Sequence, residues 1–540
     1  MLNRKNFFYI KEKKYEFTEN NLKAATSISG IPHIGNAKDV IITDTVRKAL
    51  DNINAKSKFY WIADDFDPLR KVPSNLDSAK FSQYLGMPVS EIPCPENCCK
   101  SYNHHFISLF KDSFKDLDIN PKVIWMSKLY QSGDFYDEII TAIRNRDKLR
   151  EILNKYRENK LDEDWVPWNA ICENCGKLIT TKVISINEDV ISYKCQGYSF
   201  KHITLEGCGY EGNYNLRKGI GKMPYRTEAA AQWKHFKITF EPWGKEHATK
   251  PGGTLWVNGE ISEYVYNWPM PSFMIYEFIL VDDQKMSSSR GNIITVNKWL
   301  QYAPPETLKY FCLRNPKSQT NVSLGNLPKL IDEYDDLVKT YFEVKELTKK
   351  IEKKIKQLKK TFEFCQGDSI PTSIPIDSYL PYSIAVVISQ FSLGKFDDLI
   401  SILEAQNIKI NILTEADKDL INNRLKLANN WVKDFGPERL KFAILEDLPE
   451  NLDLKAPANI RNALQELAQI IKTQDITAND LNARIHDVST NNDLNSNEFF
   501  ELLYYLFIGK KSGPRLAKFI LMLLKYKGKN WVINRLNQES

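Results

Sequence analysis

A basic stretch near the middle of the chain carries residue types that handle phosphate. Lys285 and Met286 precede three hydroxyl side chains, and Arg290 follows them: the run reads Lys285-Met286-Ser287-Ser288-Ser289-Arg290-Gly291-Asn292. Lysine and arginine neutralise phosphate oxygens, and serine hydroxyls and free backbone N–H groups bind the same atoms. A mobile basic loop suits a reaction that moves negative charge onto a triphosphate. By composition alone, such a run is more often a solvated turn than a phosphate-binding loop. The phosphate-binding interpretation therefore needs support from a second element.

The second element lies far upstream. Gly30 and Gly35 flank His33 in the run Ser29-Gly30-Ile31-Pro32-His33-Ile34-Gly35-Asn36, which is followed by Val40-Ile41-Ile42. The pattern predicts a strand, a turn and a helix. The glycines let the backbone approach a ligand closely, and His33 can hydrogen-bond phosphate or neutralise it when protonated. The N–H groups of the helix start add further donors, so we predict a phosphate-binding turn.

In this order the two runs resemble the two signatures of class I aminoacyl-tRNA synthetases, His-Ile-Gly-His and Lys-Met-Ser-Lys-Ser. Their fourth positions are Asn36 and Ser288 here, and both departures resemble the lysyl-tRNA synthetases of that class. The resemblance implies catalytic roles for His33, Asn36, Lys285, Ser287, Ser288 and Ser289. It also implies that ATP contacts Gly30, His33, Gly35, Asn36, Lys285 and Met286.

Acidic residues follow the next predicted strand. The run Lys58 to Ala63 is β-branched and aromatic, and Asp64, Asp65 and Asp67 come directly after it. Ligands of doubly wound sheets bind at the carboxyl ends of the strands, and carboxylates there suit a cationic substrate. A solvated turn with aspartate caps is the alternative. The segment 64–73 resembles the corresponding segment of class I lysyl-tRNA synthetases, which favours a role in substrate binding.

Two later segments supply further candidates for a lysine pocket. Gly244 to His247 resembles the family's Gly-Lys-Asp-His motif, with Glu246 in place of Asp, and Tyr276-Glu277-Phe278 resembles its Tyr-Glu-Phe strand. An aromatic face attracts an ammonium group and a carboxylate pairs with it. On pattern alone Trp233 is more typical of a hydrophobic core. The lysine-binding candidates are Ser27, Asp65, Asp67, Trp233, His247, Tyr276 and Glu277.

Cysteines occur in two clusters, which inside a cytosolic chain indicates metal ligands rather than disulfides. Cys172-Glu173-Asn174-Cys175-Gly176 is a zinc knuckle, and Cys195 and Cys208 complete a possible structural site of four thiolates, with His202 as an alternative fourth ligand. The first cluster is Cys94, Cys98, Cys99, His104 and His105. Its members are either zinc ligands or loop thiols with nearby histidines.

Composition limits the classes of protein. The chain has 540 residues, of which 42% are hydrophobic and 26% charged, and its formal net charge is +6. Its apolar runs fall short of the roughly 20 residues that a transmembrane helix needs. We expect a cytoplasmic protein, no membrane partner and a monomer. A mild positive charge permits an RNA partner without requiring one.

Residues 22–64 predict a βαβ unit, the opening half of a nucleotide-binding sheet. We therefore expect an α/β fold: a doubly wound parallel, Rossmann-type catalytic sheet with a zinc-binding insertion, followed by an all-α C-terminal domain. A strand is predicted at 121–126 and one long helix from Phe135 to about Lys160. The predicted domains are 1–93 with 216–302 (catalytic), 94–215 (insertion), 303–345 (connecting helices) and 346–540 (helical, which by resemblance contacts the tRNA anticodon).

The resemblance implies ATP-dependent attachment of L-lysine to tRNA(Lys) through lysyl-adenylate, with Mg²⁺ brought by ATP and a structural Zn²⁺. Three alternatives stand beside it. A class I synthetase for another amino acid, such as glutamate, would need a cation facing the side chain, where this chain offers acids. A non-catalytic tRNA- or nucleotide-binding relative would not need both signatures. A nucleotidyltransferase without RNA would not need the residues after 320.

Overall fold

The computed structural model describes residues 9–10, 13–14, 17–27, 30–73, 76–200, 203–286, 292–343, 349–367, 369–391, 396–405, 408, 414–449 and 457–538. The chain forms two compact units. The first comprises Met1–Trp299, Leu308–Val322 and Phe364–Asp368, and the second comprises Leu300–Thr307, Ser323–Glu363 and Ser369–Ser540. Among the described helices, none combines the length and the apolar composition needed to cross a bilayer.

Seventeen strands are described, in chain order: β1 Tyr9–Ile10, β2 Lys13–Lys14, β3 Asn20–Ser27, β4 Ser57–Asp64, β5 Lys122–Trp125, β6 Asn169–Ala170, β7 Thr181–Asn187, β8 Val190–Cys195, β9 Gly197–Phe200, β10 Ile203–Glu206, β11 Glu211–Asn215, β12 Gly221–Lys222, β13 Ile238–Gly244, β14 Ser272–Tyr276, β15 Ile279–Val281, β16 Gln284–Lys285 and β17 Thr320–Val322.

The described α-helices are α1 Ile34–Asp51, α2 Ser78–Phe81, α3 Tyr102–Asp116, α4 Met126–Gln131, α5 Tyr136–Arg144, α6 Arg146–Asn154, α7 Tyr225–His235, α8 Thr254–Tyr264, α9 Val296–Leu300, α10 Pro305–Leu313, α11 Leu327–Glu343, α12 Lys349–Cys365, α13 Tyr382–Ile388, α14 Phe396–Ala405, α15 Glu415–Phe435, α16 Ala458–Thr473, α17 Ala478–Asn491, α18 Ser496–Ile508, α19 Leu516–Tyr526 and α20 Lys529–Asn537. Short 3-10 helices include Lys245–Ala248 and Glu438–Leu440.

The core of the first unit is a five-stranded sheet in the order β14-β13-β3-β4-β5, with every pair parallel. The chain builds β3, β4 and β5 outward in one direction and then returns to add β13 and β14 on the other side of β3. This reversal is the topological switch point of a doubly wound sheet, and ligands bind outside the strand ends there. The predicted parallel α/β sheet is confirmed.

Helix α1 connects β3 to β4 and carries an apolar face onto the sheet. Ile34, Ala37, Val40 and Ile41 are all at most 2% exposed. Because α1 begins directly after the turn at His33, its first N–H groups lie at the carboxyl end of β3. The predicted strand–turn–helix is therefore present, and it delivers a helix N-terminus to the switch point.

Between β5 and β12 the chain forms helices and small antiparallel sheets, including a three-stranded sheet in the order β11-β8-β7. The prediction of one helix from Phe135 to Lys160 is wrong. The structure has α5 and α6 instead, with Asn145 between them at φ −103° and ψ 23°. The Asn145 side chain donates to the Thr141 carbonyl oxygen at 2.8 Å. Local side-chain bonds of this kind compete with helix continuation, while the apolar spacing persists across the break.

The second unit is helical, as the sequence predicts for the C-terminal part of the chain. Its core holds a buried ion pair in which Arg424 of α15 donates to both carboxylate oxygens of Asp335 of α11, at 2.6 and 2.9 Å.

Candidate functional site

A cavity of about 880 Å³ opens at the carboxyl ends of β3, β4, β13 and β14 in the first unit. Residues from both predicted signatures and from the acidic segment share its wall. The predicted residues among its lining are Ser27, His33, Gly35, Asn36, Asp67, His247, Tyr276, Glu277, Lys285 and Met286. Gly30, Asp65 and Trp233 are outside the described lining. Ser287, Ser288 and Ser289, like Ser29, lie outside the described residues.

The turn before α1 is held by reciprocal hydrogen bonds. The Gly35 N–H donates to Nδ1 of His33 at 3.1 Å, and the His33 N–H donates to Oδ1 of Asn36 at 3.0 Å. A Cβ at Gly35 would lie 2.8 Å from the His33 ring, so only glycine allows this close approach. Because Nδ1 accepts a hydrogen bond, the neutral ring carries its proton on Nε2.

Burial, with a smaller contribution from the positive charge of Lys285, lowers the pKa of His33 to about 4. His33 is therefore neutral near pH 7. Of the two roles predicted for it, hydrogen bonding and charge neutralisation, the structure favours hydrogen bonding through Nε2–H. A neutral donor beside the positive end of α1 can still bind an anion, because the helix terminus supplies the favourable potential.

Lys38 of α1 is a cation that lines the cavity, and the residue is only 1% exposed. Its Nζ donates to the Glu277 carbonyl oxygen at 2.8 Å and lies 5.5 Å from the centre of the Tyr276 ring. Burial lowers the pKa of Lys38. This cation was missed from the sequence, since one lysine on a mostly apolar helix gives no signal that it faces a cavity.

The second signature reaches the cavity through its first two residues. Lys285 ends β16, and its Nζ lies 4.0 Å from the centre of the Phe278 ring. Met286 is 8% exposed, and its Cε would lie 3.3 Å from a Cβ at Gly35. The two signatures therefore meet, and Lys285 brings an exposed ammonium group to the side of the cavity formed by the His33 turn.

Carboxylates surround a buried lysine at the end of β4. Lys222 Nζ lies 3.1 Å from Asp64 Oδ1 and 3.5 Å from Asp67 Oδ1, and it also contacts the Glu228 carboxylate. Asp67 accepts a further hydrogen bond, from the Ser27 hydroxyl at 3.0 Å. Asp64 and Asp67 line the cavity. We call Asp64, Asp67, Lys222 and Glu228 the acid wall.

The acid wall has three carboxylates around one ammonium group. Burial raises the pKa of Asp64 well above its usual range, and repulsion by Asp67 raises it further. Burial opposes the charge on Lys222, yet the carboxylates of Asp64 and Glu228 raise its pKa. A second cation in the cavity would favour the ionised form of Asp64 and would be stabilised by it.

Two of the lysine-binding candidates make other contacts. The Asp65 carboxylate accepts from the N–H of Ser127 at 2.7 Å and from its hydroxyl, and so it holds the first turn of α4. Trp233 is fully buried, and its indole N–H donates to Glu241. Glu241 in turn pairs with Lys23 at 2.9 Å. Both residues support elements next to the cavity.

Tyr225 and Glu246 line the cavity without having been predicted as site residues. Tyr225 begins α7 and is 39% exposed. The short segment from Lys222 to Tyr225 gives no local signal that would have identified it, because Asp64, which pairs with Lys222, is 158 residues away in sequence.

Four cysteines of the insertion converge. The sulfurs of Cys172 and Cys208 are 3.5 Å apart, those of Cys175 and Cys195 are 3.8 Å apart, and the four atoms lie within 4.8 Å of one another. Tetrahedral ligands at a Zn–S distance of about 2.3 Å have sulfurs about 3.8 Å apart. The turns after Cys175 and Cys208 are formed by glycines at φ 71° and φ 78°. His202, the alternative fourth ligand, lies outside the described residues.

The first cysteine cluster also converges. Cys94, Cys98, Cys99 and His105 place their ligand atoms within 4.8 Å of one another. His105 Nδ1 lies 3.2 Å from the Cys98 sulfur, and its Nε2 lies 3.8 Å from a Glu96 oxygen. His104, its neighbour in sequence, instead stacks on Trp125, with the two ring centres 5.7 Å apart. The donor set of three sulfurs and one imidazole nitrogen fits a closed zinc site.

Comparisons with known proteins match nearly the whole chain. A family model described as tRNA synthetases class I (K) matches residues 8–367. The lysine–tRNA ligase of Methanosphaera stadtmanae is 35% identical over 98% of this chain and 97% of its own. That of Methanocaldococcus jannaschii is 35% identical over 94% of each chain. A solved glutamate tRNA ligase from Elizabethkingia meningosepticum aligns with a TM-score of 0.40 at 14% identity, over 96% of this chain and 98% of that one.

Proposed function

Because the chain belongs to the class I lysyl-tRNA synthetase family, we propose that it is a lysine–tRNA ligase that joins L-lysine to tRNA(Lys) at the expense of ATP. The observation that carries the choice of amino acid is the acid wall. The cavity wall carries the carboxylates of Asp64 and Asp67, which with the buried Glu228 surround the Lys222 ammonium group, so it attracts a cationic side chain and repels the carboxylate of glutamate.

We assign the triphosphate to the turn before α1 and to Lys285. His33 would donate from Nε2 to a phosphate oxygen, and Asn36 and the first N–H groups of α1 would bind others. Gly35 keeps the backbone near enough for these contacts. The hydroxyls of Ser287, Ser288 and Ser289 are proposed from the sequence to complete the phosphate contacts. Mg²⁺ would arrive on ATP, because its octahedral shell prefers phosphate oxygens and water.

We assign the lysine side chain to the opposite side of the cavity. Asp67 offers a carboxylate that already accepts from Ser27, and Asp64 adds a second. Tyr276 and Tyr225 provide aromatic surface for the aliphatic stem and the ammonium group. His247 and Glu277 line the same cavity. Asp65 and Trp233, also predicted to bind lysine, would act indirectly by holding α4 and β13.

The reaction follows from placing both substrates in one cavity. A carboxylate oxygen of lysine attacks the α-phosphorus of ATP, the bond to the β-phosphate oxygen breaks, and pyrophosphate leaves with lysyl-adenylate formed. A terminal ribose hydroxyl of tRNA then attacks the lysyl carbonyl carbon, and AMP leaves. The protein positions the reactants and offsets phosphate charge, so neither step requires a covalent enzyme intermediate.

We propose that Zn²⁺ occupies both convergent clusters as a structural ion: Cys172, Cys175, Cys195 and Cys208 at one, and Cys94, Cys98, Cys99 and His105 at the other. Each would offer four ligands and leave no position for substrate. Zinc would stabilise the small sheets of the insertion, which have little hydrophobic core of their own.

We also propose a division of labour along the chain. Residues 1–93 with 216–302 would carry out activation, 94–215 would form the insertion, 303–345 would connect, and 346–540 would bind tRNA. We propose a cytoplasmic monomer. Removal of residues 369–540, which all belong to the second unit, should abolish tRNA charging by a ligase, whereas an enzyme that needs no RNA should keep its activity.

The test of the proposed function is amino-acid-dependent exchange of pyrophosphate into ATP, run with each of the twenty amino acids, with and without total tRNA. Lysine alone should give a signal. A signal with glutamate or another amino acid would refute the lysine assignment while keeping the class. Failure to exchange under every condition would favour a non-catalytic nucleotide- or tRNA-binding protein.

A further inference from the structure

A short segment between α2 and α3, residues 86–89, runs beside the residues that follow β4. We call it the bridging segment. Its Val89 N–H donates to the Asp67 carbonyl oxygen at 2.9 Å, and its Met87 carbonyl oxygen accepts from the Leu69 N–H at 2.8 Å. These two backbone bonds fix the path of the chain through Asp67, whose carboxylate belongs to the acid wall.

The bridging segment also forms part of the cavity wall. Val89 and its neighbour Leu69 both line the cavity, and each is at most 2% exposed. Close-packed apolar side chains transmit a displacement rather than absorb it. A shift of the bridging segment would therefore move the Asp67 carboxylate together with the apolar surface beside it.

On its other side the bridging segment contacts the cysteine-containing turn of the insertion. The Gly86 carbonyl oxygen accepts from the Leu178 N–H at 2.7 Å. The Met87 side chain lies over Gly176, where a Cβ would be 2.8 Å from Met87 Cε. Gly176 directly follows Cys175. Met87 therefore packs on the turn that carries the converging thiols.

The turn under Met87 is tied to the four-sulfur cluster of the insertion. The Gly176 N–H donates to the Cys172 carbonyl oxygen at 2.8 Å, and the Cys172 N–H donates to the Lys177 carbonyl oxygen at 3.0 Å. We call the cluster formed by Cys172, Cys175, Cys195 and Cys208 the knuckle cluster. A metal ion on the knuckle cluster would hold this turn in one conformation, and its loss would release the surface on which Met87 rests.

We propose that the bridging segment couples the knuckle cluster to the acid wall, and that Met87 is a positioning residue for the lysine substrate, acting through Asp67. The turn that binds phosphate is anchored elsewhere, because the Ile34 N–H donates to the Ile294 carbonyl oxygen at 2.8 Å. A disturbance of the bridging segment should therefore weaken the binding of lysine and spare the binding of ATP. The proposal rests on lysine being the amino acid of the proposed function.

The test compares Met87→Ala with two controls. Met87→Ala removes the side chain that covers Gly176, and Met87→Leu restores most of its apolar volume. Met270→Ala is the matched control, because Met270 is also half-buried and also packs on a glycine, Gly259, where a Cβ would lie 2.7 Å from its sulfur. Met270 is outside the described lining of the cavity. Circular dichroism checks that each variant is folded.

We expect Met87→Ala to raise the KM for lysine at least fivefold in pyrophosphate exchange, with the KM for ATP and kcat changed less than twofold, since a small misplacement of a binding group is costly. Calorimetry with lysine alone should show the same loss of affinity. Met87→Leu should recover most of it, and Met270→Ala should match wild type. An unchanged KM for lysine in Met87→Ala, or an equal rise in the KM for lysine and for ATP, would overturn the proposal.

Cys175→Ser tests the other end of the path. Metal analysis should show the loss of one zinc ion, and the KM for lysine should rise as in Met87→Ala while the KM for ATP stays near wild type. The double variant Cys175→Ser, Met87→Ala should be no worse than the more impaired single variant, because both changes act through one path. Multiplied effects, or loss of zinc with an unchanged KM for lysine, would overturn the coupling. Absence of lysine-dependent exchange by the wild-type chain would instead refute the proposed function.

Discussion

The Gly35 N–H donates to Nδ1 of His33 at 3.1 Å, across the turn between β3 and α1. This one bond decides the chemistry of the ring. Because Nδ1 accepts, the proton of the neutral imidazole is on Nε2, and His33 faces the cavity as a hydrogen-bond donor without charge. The first signature is thereby a preorganised donor set, in which no proton has to move before phosphate binds.

His33 should titrate far below ordinary histidines. Burial lowers its pKa from 6.5 to about 4. As pH falls below 6.5 the unfolded chain gains this proton before the folded chain does, so the His33 contribution to stability declines between about pH 6.5 and pH 4. Nitrogen-15 NMR of histidine-labelled protein should show a neutral ring with Nε2–H at pH 7 and a midpoint near 4. Comparison with His33→Gln identifies the signal, and a midpoint above 6 would contradict the assignment.

Gly35→Ala should impair activation through a steric effect on His33. A Cβ at this position lies 2.8 Å from the imidazole and 3.3 Å from Met286 Cε, so the ring must rotate and lose its bond to the Gly35 N–H. We expect pyrophosphate exchange to fall about 10- to 100-fold, as when a preorganised donor is displaced. Gly325→Ala is the control, because its Cβ would meet only the Ser323 hydroxyl at 3.6 Å. A normal rate of pyrophosphate exchange in Gly35→Ala would show that activation does not depend on the position of the His33 ring.

The sequence was sufficient for elements whose signal is local. The parallel βαβ unit at residues 22–64 follows from apolar runs divided by the turn Gly30-Ile31-Pro32-His33, and the Cys172 knuckle follows from the spacing of two thiols and a glycine. Both depend on residues close together in the chain. The contact of both Lys285 and the His33 turn with ATP was inferred through resemblance to a family, and the strand order was not predicted.

The acid wall shows what local patterns cannot reveal. Lys222 and Asp64 are 158 residues apart in sequence and 3.1 Å apart in space, and nothing in either segment indicates the partner. For the same reason Asp65 and Asp67 could not be distinguished. Both residues lie beyond Asp64, the last residue of β4, where strand alternation no longer sets side-chain direction, and so Asp67 lines the cavity while Asp65 turns towards Ser127.

Asp67→Asn should weaken binding of lysine more than it slows chemistry. The Asp67 carboxylate lies 3.5 Å from Lys222 Nζ and accepts from Ser27, and the amide preserves its shape while removing a negative charge from the acid wall. We expect the KM for lysine to rise roughly tenfold or more, in line with the loss of one charge-assisted hydrogen bond. Steady-state pyrophosphate exchange measures this. Asp112→Asn, on the exposed surface of α3, should leave the KM unchanged.

Metal analysis should find two zinc ions per chain. Cys175→Ser should remove one and Cys98→Ser the other, since each breaks one convergent cluster. Cys365→Ala should remove neither, because Cys365 belongs to neither cluster. Loss of a structural ion removes folding free energy, so both cysteine-to-serine variants should also unfold at lower temperature. Zinc content that is unchanged in Cys98→Ser would exclude the Cys94, Cys98, Cys99 and His105 site.

Lys285→Ala tests whether the second signature acts on the triphosphate. Lys285 is exposed at the end of β16 and lines the same cavity as the His33 turn, and a mobile cation there offsets charge that develops as pyrophosphate leaves. We expect lysine-dependent pyrophosphate exchange to fall about 100-fold, while the affinity for lysine, measured by calorimetry, stays within twofold of wild type.

A lower exchange rate with an unchanged affinity for lysine distinguishes a role of Lys285 in phosphate chemistry from a role in lysine binding. Lys285→Arg keeps the charge on a bulkier head group and should recover part of the exchange rate. Lys317→Ala removes an exposed lysine that does not line the cavity, and it should behave as wild type. A full exchange rate in Lys285→Ala would remove Lys285 from the catalytic set. Loss of lysine affinity in that variant would place its ammonium group near the amino acid instead, because only a contact with bound lysine could change that affinity.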